Sequence, residues 1–508
     1  MGTDANILLN DQKVNILVAQ MLPEELIRRL KMLPFKIDAN QLYVATTEPV
    51  NLPGIDEIRS LTGMRIKPVI VPEDELTAVI KAVLRSDQRT TQTIIDMTFS
   101  SLSESRGSLG VAQDTVVDTD EAPVISLVNN IIRSAVSEGA SDIHLEPQYP
   151  EMRVRYRING ILQSVATVPK SIEPSVVSRI KLLADMDIAE RRRPQDGHIS
   201  ISANGRLVDL RISTVLTVKG EKVVIRILDQ EGMLIGLEKL GMLPDQFRIF
   251  ESFIAHPHGI ILVTGPTGSG KTTTLYSALS RLDAEGSNIV TVENPVEYQL
   301  DNISQIQINP YINFDFANAL RTIVRQDPDI IMIGEIRDYE TAEIAIQSAL
   351  TGHLVLSTLH TNDAPSAVIR LVDIGVPPFL ITSTVRGIVA QRLVRSICND
   401  CKEAYTPTDE ELELMRLPKD SDIKLFRGKG CPMCHSTGYG GRIGVFEIFE
   451  IDEDVRKIVL SHASASEIRQ LAIKKGMKTL SDAGREKILQ GVTTVEEVHR
   501  VIYLGEEE

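Results

Sequence analysis

The sequence predicts an α/β protein with several domains arranged around a parallel-sheet core. Three observations support this fold class. The chain has 508 residues, which is too long for a single hydrophobic core. A complete glycine-rich loop, 265–272, lies between an apolar strand-like run and a helix-like run, and strand-like and helix-like runs alternate after it. Such alternation is typical of parallel sheets that are covered by helices.

The N-terminal residues, 1–85, mix helical periodicity with short strand-like runs such as Gln41–Ala45. This mixture predicts a small α/β module, which we interpret as a docking module for a partner. Residues 86–122 are rich in Ser, Thr, Gln and Asp and become acidic toward their end. Their composition predicts a flexible linker, which would let a docked module stay in place while the rest of the chain moves.

Residues 123–235 predict a β-rich α+β domain that opens with one helix. Pro123 stands at the predicted start of this helix. Three dipeptides then lie between apolar or alternating runs: Asn159–Gly160, Asn204–Gly205 and Lys219–Gly220. Asn-Gly flanked by alternating residues is the strongest short-range signal of a β-hairpin, so an antiparallel sheet is expected here.

Residues 236–396 predict the parallel α/β core and contain the motif Gly-x-x-x-x-Gly-Lys-Thr. Gly259–Thr264 is expected to be a buried strand and Thr272–Leu282 a helix. A strand, a glycine-rich turn and a helix N-terminus direct several backbone N–H groups to one point, where the helix dipole also favours negative charge. The loop therefore predicts a binding site for a nucleoside triphosphate. The predicted contacts are Gly265, Pro266, Thr267, Gly268, Ser269, Gly270, Lys271, Thr272 and Thr273. Within this loop, Lys271 would bridge the outer phosphates and the Thr272 hydroxyl would bind Mg²⁺.

Three polar side chains stand at the ends of later strand-like runs of this core. Glu293 and Glu335 each end an apolar run, and ligands of open α/β sheets bind at the carboxyl ends of the strands. One carboxylate would activate or orient water while the other holds the metal. His360 ends a third run and could sense the γ-phosphate, although a histidine there is more often structural.

All four cysteines fall into two pairs, Cys398-x-x-Cys401 and Cys431-x-x-Cys434. Two such pairs supply the four thiolates of a tetrahedral zinc site, and four protein ligands leave no open position for catalysis. We therefore predict a structural zinc subdomain over 397–440. The gap between the pairs is longer than in a simple zinc ribbon, which predicts an inserted helix at Glu410–Leu417.

The last residues, 441–508, predict a helical C-terminal region. The helical pattern begins near Ile451, and Thr493-x-x-Glu496 predicts a capping box at the start of the last helix.

The charge and the hydropathy of the chain exclude some classes of function. Acidic residues outnumber basic ones, 69 to 54, and the formal net charge of −15 argues against a nucleic-acid motor. No run approaches the roughly 20 apolar residues of a membrane span, and no signal peptide is visible. A cytosolic protein is expected, with membrane association only through partners.

Several longer motifs occur along the chain: Ala140–Pro147, Arg193–His198, the phosphate loop, Thr291–Glu297, Arg325–Arg337 and Thr351–Asn362. They resemble those of bacterial ATPases of the type II secretion and type IV pilus assembly superfamily, and within it the type II secretion ATPases. The resemblance extends from about residue 123 to the C-terminus. It implies a RecA-like P-loop ATPase core and a hexameric ring with active sites at subunit interfaces.

The resemblance also implies roles for individual residues. It implies an acidic box at Glu293–Glu297, although Asn294 stands where the family often has Asp, a second acidic motif ending at Glu335, and a histidine box with His353 and His360. We favour Glu293 as the base and Glu335 as the carboxylate on the Mg²⁺ side, and the reverse stays open. Arginines of the preceding domain are implied to reach the phosphates, and those of the core are weaker candidates for phosphate or interface contacts. The former are Arg211 and Arg226; the latter are Arg321, Arg325 and Arg337.

The function implied by the resemblance is Mg²⁺-dependent ATP hydrolysis by a cytoplasmic homo-hexamer, peripheral at the inner membrane. This motor would power type II secretion across the outer membrane through pseudopilus assembly. An inner-membrane platform protein and a membrane-anchored recruiting protein are the implied partners. The pilus-extension ATPases share nearly every motif and are the main alternative, followed by the competence-pilus ATPases. A nucleotide-switched scaffold without turnover and a nucleic-acid motor are alternatives from other classes.

Overall fold

The structure, a computed structural model, describes most of the chain. The described residues are 8–9, 12–13, 18, 22, 24–38, 41–47, 51–62, 64–73, 76–77, 79–80, 122–203, 206–229, 235–434 and 436–502. The chain divides into two compact units, the first made of Met1–Ile199 with Arg211–Arg226 and the second of Ser200–Leu210 with Ile227–Glu508. Within the described residues, no helix combines the length and the apolar character that a membrane crossing requires.

The N-terminal residues form a small α/β module. Its elements are β1 (Leu8–Leu9), β2 (Gln12–Lys13), α1 (Glu24–Leu30), β3 (Leu33–Asp38), β4 (Gln41–Thr46), α2 (Leu52–Thr62) and β5 (Arg65–Ile70). Strand β4 lies in the middle of a three-stranded sheet, antiparallel to β3 and parallel to β5. Leu42 and Val44 are fully buried because alternate residues of a strand face the same side. The predicted linker, 86–122, lies outside the described residues except for Ala122.

The following residues form the predicted β-rich domain. Its elements are α3 (Ala122–Ser137), β6 (Ala140–Glu146), β7 (Glu151–Ile158), β8 (Ile161–Pro169), α4 (Glu173–Leu183), β9 (Gln195–Ala203), β10 (Arg206–Thr217) and β11 (Gly220–Asp229). The strands form one sheet in the order β8-β7-β6-β11-β10-β9. Asn159 and Gly160 have φ of 50° and 83°, as a two-residue hairpin turn requires. Asn204–Gly205, the second predicted turn, lies outside the described residues.

The remaining strands and helices belong to the second compact unit. The strands are β12 (Gly259–Thr264), β13 (Ile289–Glu293), β14 (Ser304–Gln307), β15 (Ile330–Ile333), β16 (Leu354–Leu359), β17 (Val385–Ile397), β18 (Lys402–Tyr405), β19 (Leu425–Gly428) and β20 (Tyr439–Glu450). The helices are α5 (Pro244–Ile254), α6 (Lys271–Leu279), α7 (Phe316–Ile323), α8 (Tyr339–Leu350), α9 (Pro365–Ile374), α10 (Pro378–Thr384), α11 (Asp409–Leu414), α12 (Glu453–Leu460), α13 (Ala465–Lys474), α14 (Leu480–Leu489) and α15 (Val495–Val501).

Seven strands of this unit form one sheet in the order β14-β13-β15-β16-β12-β17-β20. The strands are parallel up to β17, which pairs antiparallel with β20. Ile260 and Leu262 pack into one apolar cluster, whereas Ile261 and Val263 of the same strand pack into another. Apolar cores therefore cover both faces of the sheet, which explains why its central strands are continuous apolar runs.

Strand β20 corrects part of the prediction for the C-terminus. The predicted C-terminal region begins at 441 with its helical pattern near Ile451, and residues 441–450 of it pair with β17 in a register that joins Ile388 to Phe449 and Val394 to Ile443. The pairing joins segments some fifty residues apart in the sequence, so no local periodicity could predict it. Helices follow from Glu453 onward.

The predicted cap of the last helix is wrong by one residue. The N-cap of α15 is Thr494, whose side chain accepts from the Glu497 N–H. Thr493 instead donates to the carbonyl of Arg395 at 2.7 Å. Either of the two adjacent threonines could cap the helix. The hydroxyl of Thr493 is bonded to Arg395 of β17, so Thr494 is the cap.

The cysteine-containing residues leave the sheet between β17 and β20. Strands β18 and β19 pair antiparallel. Helix α11 begins at a capping box of Thr408 and Glu411. The inserted helix predicted at Glu410–Leu417 is therefore present, although it ends three residues earlier, at Leu414. The described residues of the unit also form three short 3₁₀ helices, at Leu237–Lys239, Pro310–Ile312 and Pro432–Cys434.

Candidate nucleotide site and cysteine cluster

The glycine-rich loop connects β12 to α6 and packs directly on β17. Gly265, Gly268 and Gly270 have positive φ of 149°, 79° and 89°. A Cβ at position 265 would lie 2.6 Å from the carbonyl oxygen of Gln391, and one at 270 would lie 2.8 Å from its side-chain nitrogen. Real Cβ atoms do not approach other atoms so closely, so only glycine fits at these two positions.

One polar atom of the loop has no hydrogen-bond partner among the described residues. The Ser269 hydroxyl is buried without a hydrogen bond to any described residue. A buried hydroxyl without a partner is unusual in a folded protein. Together with glycines that admit no side chain, it makes the loop a cradle that fits phosphate oxygens.

Lys271 opens α6 and points its ammonium group back over the loop. Its Nζ donates to the carbonyl oxygens of Gly265 at 2.8 Å and Pro266 at 3.1 Å. Burial lowers the pKa of Lys271 below its ordinary value; the Glu335 carboxylate opposes this shift and the Arg392 guanidinium adds to it. Lys271 and Glu335 therefore lie close enough to interact. Thr272 and Thr273, the remaining predicted contacts, follow in the first turn of α6.

Glu335 and His360 meet at the same edge of the sheet. Strand β16 lies between β15 and β12, so the residues that follow these strands are neighbours. His360 Nε2 lies 3.3 Å from one Glu335 oxygen, and Arg337 Nη2 lies 2.7 Å from the other. The Glu335 side chain is 14% exposed and that of His360 49%. The structure thus brings two predicted site residues together beside Lys271, where solvent reaches them.

Glu293 lies in different surroundings. It is 3% exposed. Its Oε1 accepts from Thr291 Oγ1 at 2.6 Å and Gln305 Nε2 at 3.2 Å, and its Oε2 accepts from the Tyr276 hydroxyl. Burial first, and then the bond to Glu293, raise the pKa of Tyr276, so its hydroxyl stays a donor. This carboxylate is fully engaged in holding β13 to β14 and α6.

His353 of the implied histidine box lies away from these groups. It precedes β16, whereas His360 follows it, so the strand separates the two. His353 Nδ1 contacts the Ser348 carbonyl at 2.7 Å and the Thr351 hydroxyl at 3.1 Å. It therefore joins the end of α8 to the start of β16, and the structure does not bring it to the phosphate loop.

The predicted arginines fall in both compact units. Arg211 and Arg226 lie on β10 and β11 of the first unit. Arg226 Nε donates to the buried Asp142 at 3.1 Å, while its side chain is 62% exposed. The phosphate loop belongs to the second unit, so a phosphate contact from these residues stays a prediction. In that unit, Arg321 pairs with Glu340 and Arg325 donates to the Arg321 carbonyl at 2.6 Å.

The four cysteines converge into one cluster. Their Sγ atoms all lie within 4.8 Å of one another. The distances are 3.9 Å for Cys398–Cys431, 3.8 Å for Cys401–Cys434 and 3.7 Å for Cys431–Cys434. A tetrahedron with Zn–S bonds of about 2.3 Å has edges of about 3.8 Å, so the cluster fits zinc. The N–H groups of Cys431 and Gly438 donate to Cys434 Sγ, both at 3.2 Å, which suits a thiolate.

Sequence reasoning missed Tyr276, Gln305, Gln391 and Arg392. Tyr276 resembles an ordinary apolar residue of the helix after the loop, and Gln305 lies on an edge strand with no motif. Gln391 and Arg392 could have been found from the sequence, because they interrupt an otherwise apolar run, Ile388–Val394. A polar pair in a buried strand indicates a special environment, because buried polar groups need partners.

Two family models match the chain. The model described as type II/IV secretion system protein matches residues 117–500, and the MshEN domain model matches residues 5–90. The first match covers far more than half of the sequence. The chain belongs to the type II/IV secretion system protein family.

Relatives in this family come from two kinds of machine. The chain is 43% identical to the type II secretion system protein E of Pseudomonas aeruginosa, over 91% of this chain and 92% of that protein. It is 45% identical to the protein of the same name from Xanthomonas campestris, over 95% and 86%. It is also 40% identical to the type IV pilus assembly ATPase PilB of Myxococcus xanthus, over 97% and 88%.

Solved structures agree with the family. The ADP-bound pilus retraction motor PilT superimposes with a TM-score of 0.52 at 25% identity, covering 75% of this chain and 97% of that one. The Legionella pneumophila ATPase DotB gives a TM-score of 0.55 at 22% identity, over 77% and 97%, and supports the fold alone. The predicted family and the predicted RecA-like P-loop core are confirmed. The prediction of an ATPase is confirmed at the level of the family.

Proposed function

We propose that this chain hydrolyses ATP at the phosphate loop of its second compact unit. The observation that carries the proposal is the contact between Glu335 and His360 at the carboxyl ends of adjacent parallel strands, within electrostatic reach of Lys271 in the phosphate loop. The backbone of 265–270 and Lys271 would bind the phosphates. Mg²⁺ would neutralise phosphate charge when bound, and the Thr272 hydroxyl is an oxygen ligand that suits it.

The surroundings of the two carboxylates favour Glu335 as the group that orients or deprotonates the attacking water. Glu335 is partly exposed and its two partners stand on the solvent side. Glu293 is buried and already accepts three hydrogen bonds, so it would have to break them to reach water. We therefore propose the reverse of the assignment favoured from sequence, with Glu293 as a buried support of the site and His360 as an orienting group beside Glu335.

Arg211 and Arg226 are proposed to reach the phosphates from the β-rich domain. The Nε of Arg226 donates to Asp142, and the side chain is 62% exposed, so solvent and a ligand can reach it. Such arginines stabilise the charge of the transition state and can change the rate by about a thousandfold or more. We expect R211A and R226A to lower turnover while the ring still assembles. Normal ATP hydrolysis by both variants would refute the role.

The cysteine cluster is proposed to bind one structural Zn²⁺ through Cys398, Cys401, Cys431 and Cys434. The closed set of four sulfurs supports a structural rather than a catalytic ion. Elemental analysis of purified protein should show about one zinc per chain, and none after all four cysteines are replaced by serine. Zinc persisting in the serine variant would contradict this assignment.

The machine served by the ATPase is proposed to be the type II secretion system, powered through pseudopilus assembly. Identities to type II secretion relatives run from 40% to 51%, against 38% to 40% for type IV pilus relatives. The margin is small, and type IV pilus extension is the alternative. We further propose a homo-hexamer at the cytoplasmic face of the inner membrane. An inner-membrane platform protein and a membrane-anchored recruiting protein would hold it there, and the N-terminal module would bind such a partner.

The deciding experiment replaces Lys271 with Ala in the source bacterium. Exported proteins in the medium and pili on the surface are then both measured. Loss of exported proteins with normal pili supports type II secretion. Lost pili with normal secretion would move the chain to the pilus branch while leaving its chemistry as proposed.

A further inference from the structure

Arg392 lies on β17 directly after Gln391, the residue on which the phosphate loop packs. Its Nη2 donates to the carbonyl oxygen of Asn362 at 2.8 Å, and its Nη1 donates to the Gln391 carbonyl at 3.0 Å. Asn362 belongs to the loop that follows β16 and carries His360. One planar guanidinium, with donors in a fixed fork, therefore clamps the loop that carries His360 to the strand beneath the phosphate loop.

The clamped loop, 360–364, is also attached on both sides of Asn362, and Asp363 in it lies 3.9 Å from Arg469 of α13. The Thr361 N–H donates to Thr264 Oγ1 at 2.8 Å, at the end of β12. The Ala364 N–H donates to the buried Glu447 of β20 at 2.8 Å. These attachments hold the residues on either side of Asn362, and among the described residues the hydrogen bond to Asn362 itself comes from Arg392.

The charge of Arg392 is also part of this neighbourhood. Burial lowers the pKa of Arg392, and the carboxylates of Glu447 and Asp363 oppose the shift, so they favour its charged form. The same guanidinium acts on the pKa of Lys271. Arg392 thus lies within electrostatic reach of the phosphate loop. The hydrogen bonds of Lys271 go to the carbonyl oxygens of Gly265 and Pro266, whereas those of Arg392 go to Gln391 and Asn362.

We propose that Arg392 is a positioning residue that fixes loop 360–364 and thereby keeps His360 against Glu335. The inference rests on the proposed function, because it assigns His360 and Glu335 to the hydrolytic step. Nucleotide binding depends on the backbone of 265–270 and on Lys271, which Arg392 does not bond. Loss of the clamp therefore slows turnover and leaves nucleotide affinity in place.

The test measures kcat, KM and the affinity for a fluorescent ADP analogue in the full-length chain. R392A should lower kcat about tenfold to a hundredfold, because a displaced group near the chemistry has effects of this size, while KM and analogue affinity change by no more than about twofold. R392K keeps the charge but lacks the planar fork, so it should show the same loss. R386A is the matched control: Arg386 lies at the other end of β17 and donates Nε to the His258 carbonyl at 3.2 Å.

A double-mutant cycle with H360A tests whether Arg392 acts through the loop. The double variant R392A/H360A should be no slower than the slower single variant, since both changes remove one arrangement. Wild-type kcat in R392A, recovery in R392K, or a loss confined to KM would each overturn the inference. If R392A does not fold, R392K decides. Absence of turnover in the wild-type chain would instead overturn the proposed function.

Discussion

Strands β13 and β15 are neighbours in one sheet, and each leads to a glutamate at its carboxyl end, yet the two carboxylates do different work. Three donors from β13, β14 and α6 surround Glu293, which is 3% exposed. Glu335 faces His360 and Arg337 and is 14% exposed. The register pairs Val292 with Ile333, so Glu293 lies level with Gly334 and Glu335 lies one residue beyond it, and neighbouring elements then give the two carboxylates different partners. A carboxylate at the end of a strand can take part in a reaction only where its oxygens can still accept hydrogen bonds from a ligand or from water.

The largest effect expected from this comparison is that of E335Q. Removing the negative charge beside Lys271 should lower kcat by about 10²–10⁴-fold, the usual contribution of a general base. Nucleotide affinity and the melting temperature should stay close to wild type, because the loop backbone and the buried core are untouched. Steady-state hydrolysis and binding of a fluorescent ADP analogue check both parts. A variant that keeps half of the wild-type kcat would remove Glu335 from the chemistry.

E293Q should act on stability before activity. Gln keeps a carbonyl oxygen for the donors Thr291 and Gln305 but places an NH₂ group where Oε2 accepts from the Tyr276 hydroxyl, which costs about 1–3 kcal/mol of unfolding free energy. The accompanying loss in kcat should be much smaller than that of E335Q. Thermal or denaturant unfolding gives the first quantity and ATP hydrolysis the second. If E293Q kept wild-type stability but had a kcat as low as that of E335Q, Glu293 rather than Glu335 would be the base.

Y276F should have a smaller effect of the same kind. It removes one donor to Glu293 and lowers the unfolding free energy by about 1–2 kcal/mol. Y156F is the matched control, because Tyr156 donates a buried hydroxyl to the Ile131 carbonyl at 2.7 Å in the first compact unit. Both should lower stability, but only Y276F should alter kcat. The effects of Y276F and E293Q should also be less than additive, since they remove the same bond.

The smallest effect is expected from H353A, which extends the comparison to the two ends of β16. His353 contacts only the end of α8 among the groups described above, so its loss should lower stability by about 1 kcal/mol and leave kcat within about twofold of wild type. H360A, measured beside it, should lower kcat by more. Equal losses of kcat in the two variants would mean that the histidines act together in the assembled protein.

Local patterns predicted the parts of this fold that are built locally. The apolar runs became buried strands, the glycines became a loop in which only glycine fits at 265 and 270, and the two Cys-x-x-Cys pairs converged. What failed depends on contacts between distant segments. Strand β20 pairs with β17 across a long excursion, and the bonds around Glu293 come from residues on three different elements. No period or spacing in the sequence records such contacts.

The excursion between β17 and β20 leaves and re-enters the sheet through one pair of residues. Ile397 and Tyr439 are opposite each other in the antiparallel ladder, so residues 398–438 form the tip of a long hairpin. Met415 and Leu425 of this tip are nevertheless buried in the same apolar cluster as Ile488 of α14. The tip is therefore tied to the C-terminal helices as well as to the sheet, and an insertion should be tolerated only at its exposed polar residues, such as Lys419 and Asp420, where no core contact is lost.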